Sequence, residues 1–461
     1  MLRGFLLLIA TPLLVVSVAG NLLLFKQGQS ISEEAAHLRQ RAIQAEQALN
    51  SQTTALQSQV GSSAPAVPAP APTVAARLTG TGLVQNILTE VQTLRGLRST
   101  ASVPVQFIEE SALKAILMRR FDHDYLPTER DVDQKLLVML GLLRPDQDLV
   151  GIDRDLLSDQ VLGLYSTDDK TLYVLGNAGQ IGPAEEATIA GAYIHALQDQ
   201  TYDLSRITPM HTDNNDRAQA IQALIEGDAV LVQSLWSQTY LSAVQQRELA
   251  PDQDSLDKLQ QAPAVVRTNA LFPYVDGLGF VMQLYKQKGF AGVDAAFNNL
   301  PVSTAQILHP ESYAAGVQPI DVAAPDLAGQ LGAPWRRLDT NVLGELGIRN
   351  VLAQYGDHQA AQTAASGWRG DRWQLLDHDG QLALVLRTVW ASDAQASRFF
   401  LTYGQGLKAR FPDARAEEQS ASRQALTTAT VATDLRRHGS EVDAVITFDR
   451  TTANAIAALN H

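Results

Sequence analysis

Two neighbouring helical patterns constrain this chain most. The first opens at Pro183, where proline suits the first helical position, and carries Glu185 and Glu186 in its first turn, where carboxylates complement the helix dipole. Ile189, Tyr193 and Leu197 recur at i, i+4 through it. The second begins near the polar cluster Asp213-Asn-Asn-Asp216, and Ile221, Leu224, Ile225, Val232 and Trp236 mark its buried face. That polar cluster lacks the glycine and spacing of a calcium loop and reads as a helix cap. A hairpin precedes the pair: Gln160 to Tyr165, a polar turn at Ser166 to Asp169, and Thr171 to Leu175.

Around this centre, Val84 to Leu97, Ser111 to Arg120 and Thr128 to Leu143 have helical spacing, and Val103 to Ile108 reads as a short strand. The last third, 326–461, reads as a separate α+β unit. Helices at Val342–Gln354, Gln359–Ser366 and Asp393–Ala409 accompany strands at Arg372–Leu376, Leu382–Trp390, Ala425–Asp434 and Glu441–Phe448. Helices segregated from an antiparallel sheet is the simplest arrangement. The fold class expected is therefore α+β. A mainly helical domain with a small β-hairpin or sheet (78–325) precedes an α+β domain with an antiparallel sheet (326–461).

The N-terminal region has a different character. Phe5 to Phe25 is apolar between Arg3 and Lys26, and as a helix it would be about 30 Å long, the thickness of a bilayer core. Val18-Ala19-Gly20 offers a small-residue cleavage site, but the apolar run continues to Phe25, so residues 1–26 read as an uncleaved transmembrane signal-anchor. Residues 27–60 read as a helical stalk and 61–77 as a Pro/Ala linker. The expectation is a single-pass cell-membrane protein with its body on the extracytoplasmic side.

Bulk properties narrow the chemistry. With no cysteine, the chain has no disulfide, thiolate metal site or thiol nucleophile. A formal charge of −13 argues against nucleic acid as partner, because phosphate binding needs clustered Lys and Arg. Neither a phosphate loop, a dinucleotide glycine motif nor a Gly-x-Ser-x-Gly elbow is present.

The segment His195-Ala-Leu-Gln-Asp-Gln-Thr-Tyr-Asp-Leu204 and the later Glu226-Gly-Asp-Ala229 resemble the motif helices of bacterial membrane-linked gluzincin-like proteins, zinc metallopeptidases of the His-Glu-x-x-His type. Gly163-Leu-Tyr165 with Leu172-Tyr-Val174, Gln306-Ile-Leu-His-Pro-Glu311, Gly367-Trp-Arg-Gly-Asp-Arg372 and Arg387-Thr-Val-Trp390 extend the likeness over roughly residues 100–400. In such enzymes two histidines at i and i+4 hold zinc, the glutamate beside the first deprotonates water, and a glutamate on a following helix completes the ligands.

This chain departs at the chemical positions. Gly191 stands where the first histidine would be and Ala192 where the general base would be; neither side chain can bind a metal or take a proton. His195 and Glu226 remain as a vestigial site, with His211, in the loop between the two helices, as a replacement ligand if any metal is held. No catalytic residue and no cofactor are expected. The resemblance implies a pseudo-metallopeptidase, a binding or scaffold protein whose peptidase-like cleft takes a peptide or an envelope protein. The alternative is an active zinc metallopeptidase with a rearranged metal site. Without the likeness, His195 and Glu226 read as a buried pair that satisfy each other.

Overall fold

The computed structural model describes residues 80–208, 213–249 and 253–459. It opens with α1 (Thr81–Arg95), which Gly96 closes in the left-handed conformation at φ 77°. Then follow β1 (Val105–Ile108), α2 (Glu110–Asp124), α3 (Pro127–Leu140), α4 (Leu149–Gln160), β2 (Gly163–Ser166) and β3 (Thr171–Leu175). The expected hairpin forms, with β2 antiparallel to β3. On the other side of β3 lies β1 in parallel pairing, giving the order β1-β3-β2. Parallel strands need a long crossover, and α2 to α4 supply it.

The two helices that anchored the reading become α5 (Pro183–Tyr202), continued by the short α6 (Leu204–Ile207), and α7 (Asn215–Tyr240). Their caps follow the sequence logic. Glu185 accepts the Gly182 N–H at 2.9 Å, and the Asn214 side chain accepts from the Arg217 N–H at 2.9 Å. Beyond them come α8 (Ala243–Glu248), α9 (Gln253–Gln261), α10 (Ala264–Lys288), α11 (Phe290–Asn298), α12 (Thr304–Leu308), α13 (Pro310–Ala314) and α14 (Leu327–Leu331).

Periodicity did not mark α10, which carries Pro273 in its interior and is buried along much of its length. It packs on α7 at a close crossing where Gly227 meets Gly277. A Cβ on Gly227 would overlap the Gly277 carbonyl, and one on Gly277 would overlap the Ala223 carbonyl. Glycine at 227 therefore serves helix packing in this chain.

The C-terminal part comprises β4 (Arg336–Asn341), α15 (Gly344–Ala353), α16 (His358–Ala365), β5 (Trp368–His378), β6 (Gln381–Trp390) and α17 (Asp393–Arg410). It ends with β7 (Arg415–Gln419), β8 (Arg423–Thr427), β9 (Ala432–His438), β10 (Glu441–Thr447) and α18 (Arg450–Leu459). These strands form one antiparallel sheet in the order β4-β5-β6-β10-β9-β8-β7. The α+β class with a C-terminal antiparallel sheet is thus correct.

Three details differ from the sequence reading. The strand expected over Ala425–Asp434 is two strands, β8 and β9, paired antiparallel. The edge strands β4 and β7, polar and rich in arginine or glutamate, gave no apolar alternation to read. Helices also lie on both faces of the sheet. Leu375, Leu384, Leu386, Leu435 and Ala444 face a core that includes α3, α15 and α17. Leu376, Ala383, Val385, Ala432 and Val445 face α14 and α18. Alternate residues on a strand point to opposite faces, so both being apolar requires cover on both sides. The first of these cores also takes in Leu136, Leu137, Leu149 and Val265, so it runs across the expected boundary at 325/326.

The expectation of a transmembrane, single-pass membrane protein is corrected: among the described residues no helix is long and apolar enough to cross a membrane. Residues 5–25, which carried that expectation, lie outside the described residues, as do the stalk at 27–60 and the linker at 61–77.

Candidate functional site

The helices α5 and α7 lie side by side and bring His195 and Glu226 together. Their side chains are 0% and 1% exposed, and His195 Nε2 lies 3.5 Å from Glu226 Oε2. Neither atom has another hydrogen-bond partner among the described residues. The remaining atoms are well engaged. Gln222 Nε2 donates to Glu226 Oε1 at 2.7 Å, one turn earlier on α7. His195 Nδ1 lies 2.9 Å from Gln198 Oε1.

The Gln198 amide assigns the histidine's proton. Its Nε2 donates to the Ile225 carbonyl and to Asp228 Oδ2, each at 3.0 Å, leaving Oε1 as the acceptor toward His195. Nδ1 therefore carries a hydrogen. If Nε2 were bare and Glu226 ionised, two electron-rich atoms would face each other away from bulk solvent. A proton on either Nε2 or Oε2 would remove that repulsion, as an imidazolium–carboxylate pair or as a neutral histidine facing a carboxylic acid. Tyr274 is buried close by, and its hydroxyl is held well above its usual pKa, first by burial and then by Glu226.

Arg95 extends the arrangement from α1. Its Nε donates to both oxygens of Asp228, at 2.8 and 3.1 Å, with both side chains 0% exposed. Nη2 lies 2.8 Å from Asp294 Oδ1, and the guanidinium stacks 4.7 Å from the Phe290 ring centroid. Burial opposes the charge on Arg95, but Asp228 and Asp294 outweigh it, so its pKa is raised. Tyr202 Oη donates to Asp294 Oδ1 at 2.7 Å. Sequence reasoning missed Arg95, Gln198, Gln222 and Asp228 as site residues. Gln198 and Asp228 do stand inside the two quoted motif segments, one turn and two residues past His195 and Glu226. Arg95, 133 positions from Asp228, left no local signal.

The other positions in and around the motif segments fall as follows. Gly191 and Ala192 are buried on α5 and supply no donor. Asp199 is drawn away from the pair: it accepts from Tyr165 Oη at 2.8 Å and Lys170 Nζ at 2.7 Å. His309 lies elsewhere, 2.8 Å from Glu345. His211 lies outside the described residues. A catalytic zinc takes three protein donors and a water, whereas no three His, Asp or Glu side chains gather suitably among the described residues. Among the described residues the donor set, His195 and Glu226, does not fit zinc.

On the other side of α5 from His195, Tyr193 borders an open groove of about 360 Å³. Gln85, Leu88 and Gln92 of α1 form one wall, and Ser99, Thr100, Ala101, Ser102 and Val103 the other. Gln200 fastens the second wall, its Oε1 accepting the Thr100 N–H at 2.7 Å and its Nε2 donating to the Ala101 carbonyl at 3.0 Å.

A family model described as a domain of unknown function (DUF8575) matches residues 333–457, the stretch from just before β4 into α18. No curated protein and no solved structure matches the chain.

Proposed function

We propose that this chain is a non-catalytic binding or scaffold protein, built on a gluzincin-like helix pair whose metal position has become a buried structural contact. One observation carries the reading: His195 and Glu226 are closed to solvent and face each other at 3.5 Å, with no third donor beside them among the described residues. A hydrolytic site needs substrate and water to reach the reacting centre. It also needs a general base, and Ala192 removes help typically worth ~10²–10⁴-fold in rate.

The groove beside Tyr193 supports a binding role. It is open, and its walls carry the amides of Gln85 and Gln92 and the hydroxyls of Ser99, Thr100 and Ser102 beside apolar Leu88 and Val103; such polar groups pair readily with the main chain of an extended peptide. The absence of Asp, Glu, Lys and Arg from those walls favours an uncharged segment of the ligand.

The test is the metal content of the full chain by plasma mass spectrometry after purification without chelator. A content far below one zinc per chain is expected. The rival reading, an active peptidase with a rearranged site, draws on the same two unpartnered atoms, His195 Nε2 and Glu226 Oε2, and needs His211 or another donor. Near-stoichiometric zinc that is lost in Glu226→Ala would replace the structural reading with that one.

A further inference from the structure

At the far end of α7 from Trp236, three buried carboxyl groups meet where the helical region adjoins the C-terminal sheet. Asp216, in the first turn of α7, is 1% exposed; Glu345, in the first turn of α15, is 1%; Asp371, on β5, is 2%. Asp216 Oδ1 accepts the Thr304 N–H at 2.9 Å and the Thr304 hydroxyl, tying α7 to α12. Its Oδ2 is buried with no hydrogen-bond partner among the described residues. Asp371 accepts the N–H groups of Leu343 and Gly344, at 2.8 and 2.9 Å, and the Trp368 indole N–H at 2.9 Å. Gly344, at φ +71°, lies so close that a Cβ there would collide with the Asp216 carboxyl. Glu345 pairs with His309 Nε2 at 2.8 Å.

The charged groups facing this corner are few. From α15 comes Arg349, whose Nε has no hydrogen-bond partner among the described residues and whose charge acts on Glu345 and His309. From β5 comes Arg372, which donates to the Asp213 and Val322 carbonyls and to Asp321. Beside α13, His309 lies 3.7 Å from Glu311. The face of α10 nearby contributes an amide, Asn269, which accepts from Asn350. No cation reaches Asp216 directly among the bonds described. An ionised Oδ2 would therefore be a buried charge without a donor.

We propose that this corner is a proton-operated fastening, which holds α7, α12, α15 and β5 together on acidification and slackens as the pH rises through neutrality. Burial first, then Asp371 and Glu345, push Asp216 up to about 7 against the pull of its Thr304 bonds. Burial likewise pushes Asp371 up to about 6, against its bonds from Leu343 and Gly344. His309 is raised chiefly by its hydrogen bond to Glu345. All three shifts act in the same direction. A group whose pKa is higher in the folded state stabilises that state below its unfolded value, and the contribution is lost as pH rises through the folded value. For Asp216 that window runs from about 4 to 7, and for Asp371 from about 4 to 6.

Hydrogen exchange on the full chain, corrected for the intrinsic pH dependence of exchange, tests the proposal. Peptides spanning 304–308 and 343–350 should lose protection on the order of 10²-fold between pH 5 and pH 8, the change that Asp216 alone would give. Peptides of β9 and β10, remote from the corner, should change far less. Asp216→Asn, which mimics the protonated carboxyl, should flatten the dependence, and Asp371→Asn should reduce it. A flat wild-type profile, an equal change in β9 and β10, or an unaltered slope in both variants would overturn the proposal. The wild-type profile decides by itself if neither variant folds.

Discussion

His195 Nε2 and Glu226 Oε2 face each other at 3.5 Å across the α5–α7 interface, with side chains 0% and 1% exposed. Because Gln198 fixes the hydrogen on Nδ1, a proton on either of the two facing atoms turns their contact from repulsive to attractive. The pair is thus sensitive to which partner can still donate.

Two substitutions separate a structural pair from a ligand set. Glu226→Gln leaves an amide N–H that can donate to His195 Nε2, so its cost in urea unfolding should be below about 1 kcal/mol. His195→Ala leaves Gln198 Oε1 buried without its partner and Glu226 facing a cavity, and should cost about 1–3 kcal/mol plus the cavity. Equal losses in the two variants would contradict the proton-bridged arrangement.

Arg95 and Asp228 are both fully buried and joined by two contacts at 2.8 and 3.1 Å. Removing one member of such a pair strands the other charge. Arg95→Met should destabilise the chain by about 3–5 kcal/mol, read as a lower urea midpoint. The double variant Arg95→Met with Asp228→Asn should recover part of that loss, because no uncompensated charge remains at Asp228. Asp294 keeps its 40% solvent exposure and can be hydrated.

Gly277→Ala places a methyl group against the Ala223 carbonyl of α7. Backbone has little room to yield, so the two helices must separate. The expected cost is at least about 1–3 kcal/mol in thermal or denaturant unfolding. Gly279→Ala, on the same helix with nothing within 4 Å of its added methyl, is the control and should be neutral or stabilising.

Restoring the missing residues tests the resemblance itself. Gly191→His with Ala192→Glu should give a chain that takes up zinc, measured by mass spectrometry and by competition with a chromogenic chelator. The position is buried on α5, so folding is checked first by circular dichroism. A folded double variant that holds no zinc would remove the gluzincin-like reading of the helix pair.

The sequence by itself determined those parts whose signal is local. Pro183 with Glu185 announced the start of α5, Asn214 capped α7 as expected, and alternation around Ser166 to Asp169 gave the β2–β3 hairpin. These follow from backbone and side-chain rules that act within a few residues. That Gly191 and Ala192 offer neither a metal ligand nor a base was equally plain, because a side chain's chemistry is read directly. Only the tertiary structure decided what the surviving residues do. The bond from Arg95 to Asp228, the meeting of Gly227 with Gly277, and the convergence of Asp216, Glu345 and Asp371 join positions far apart in the chain. No period or cap encodes such contacts. They arise because burying the apolar faces of α5, α7 and α10 forces the polar groups between them to find partners away from water.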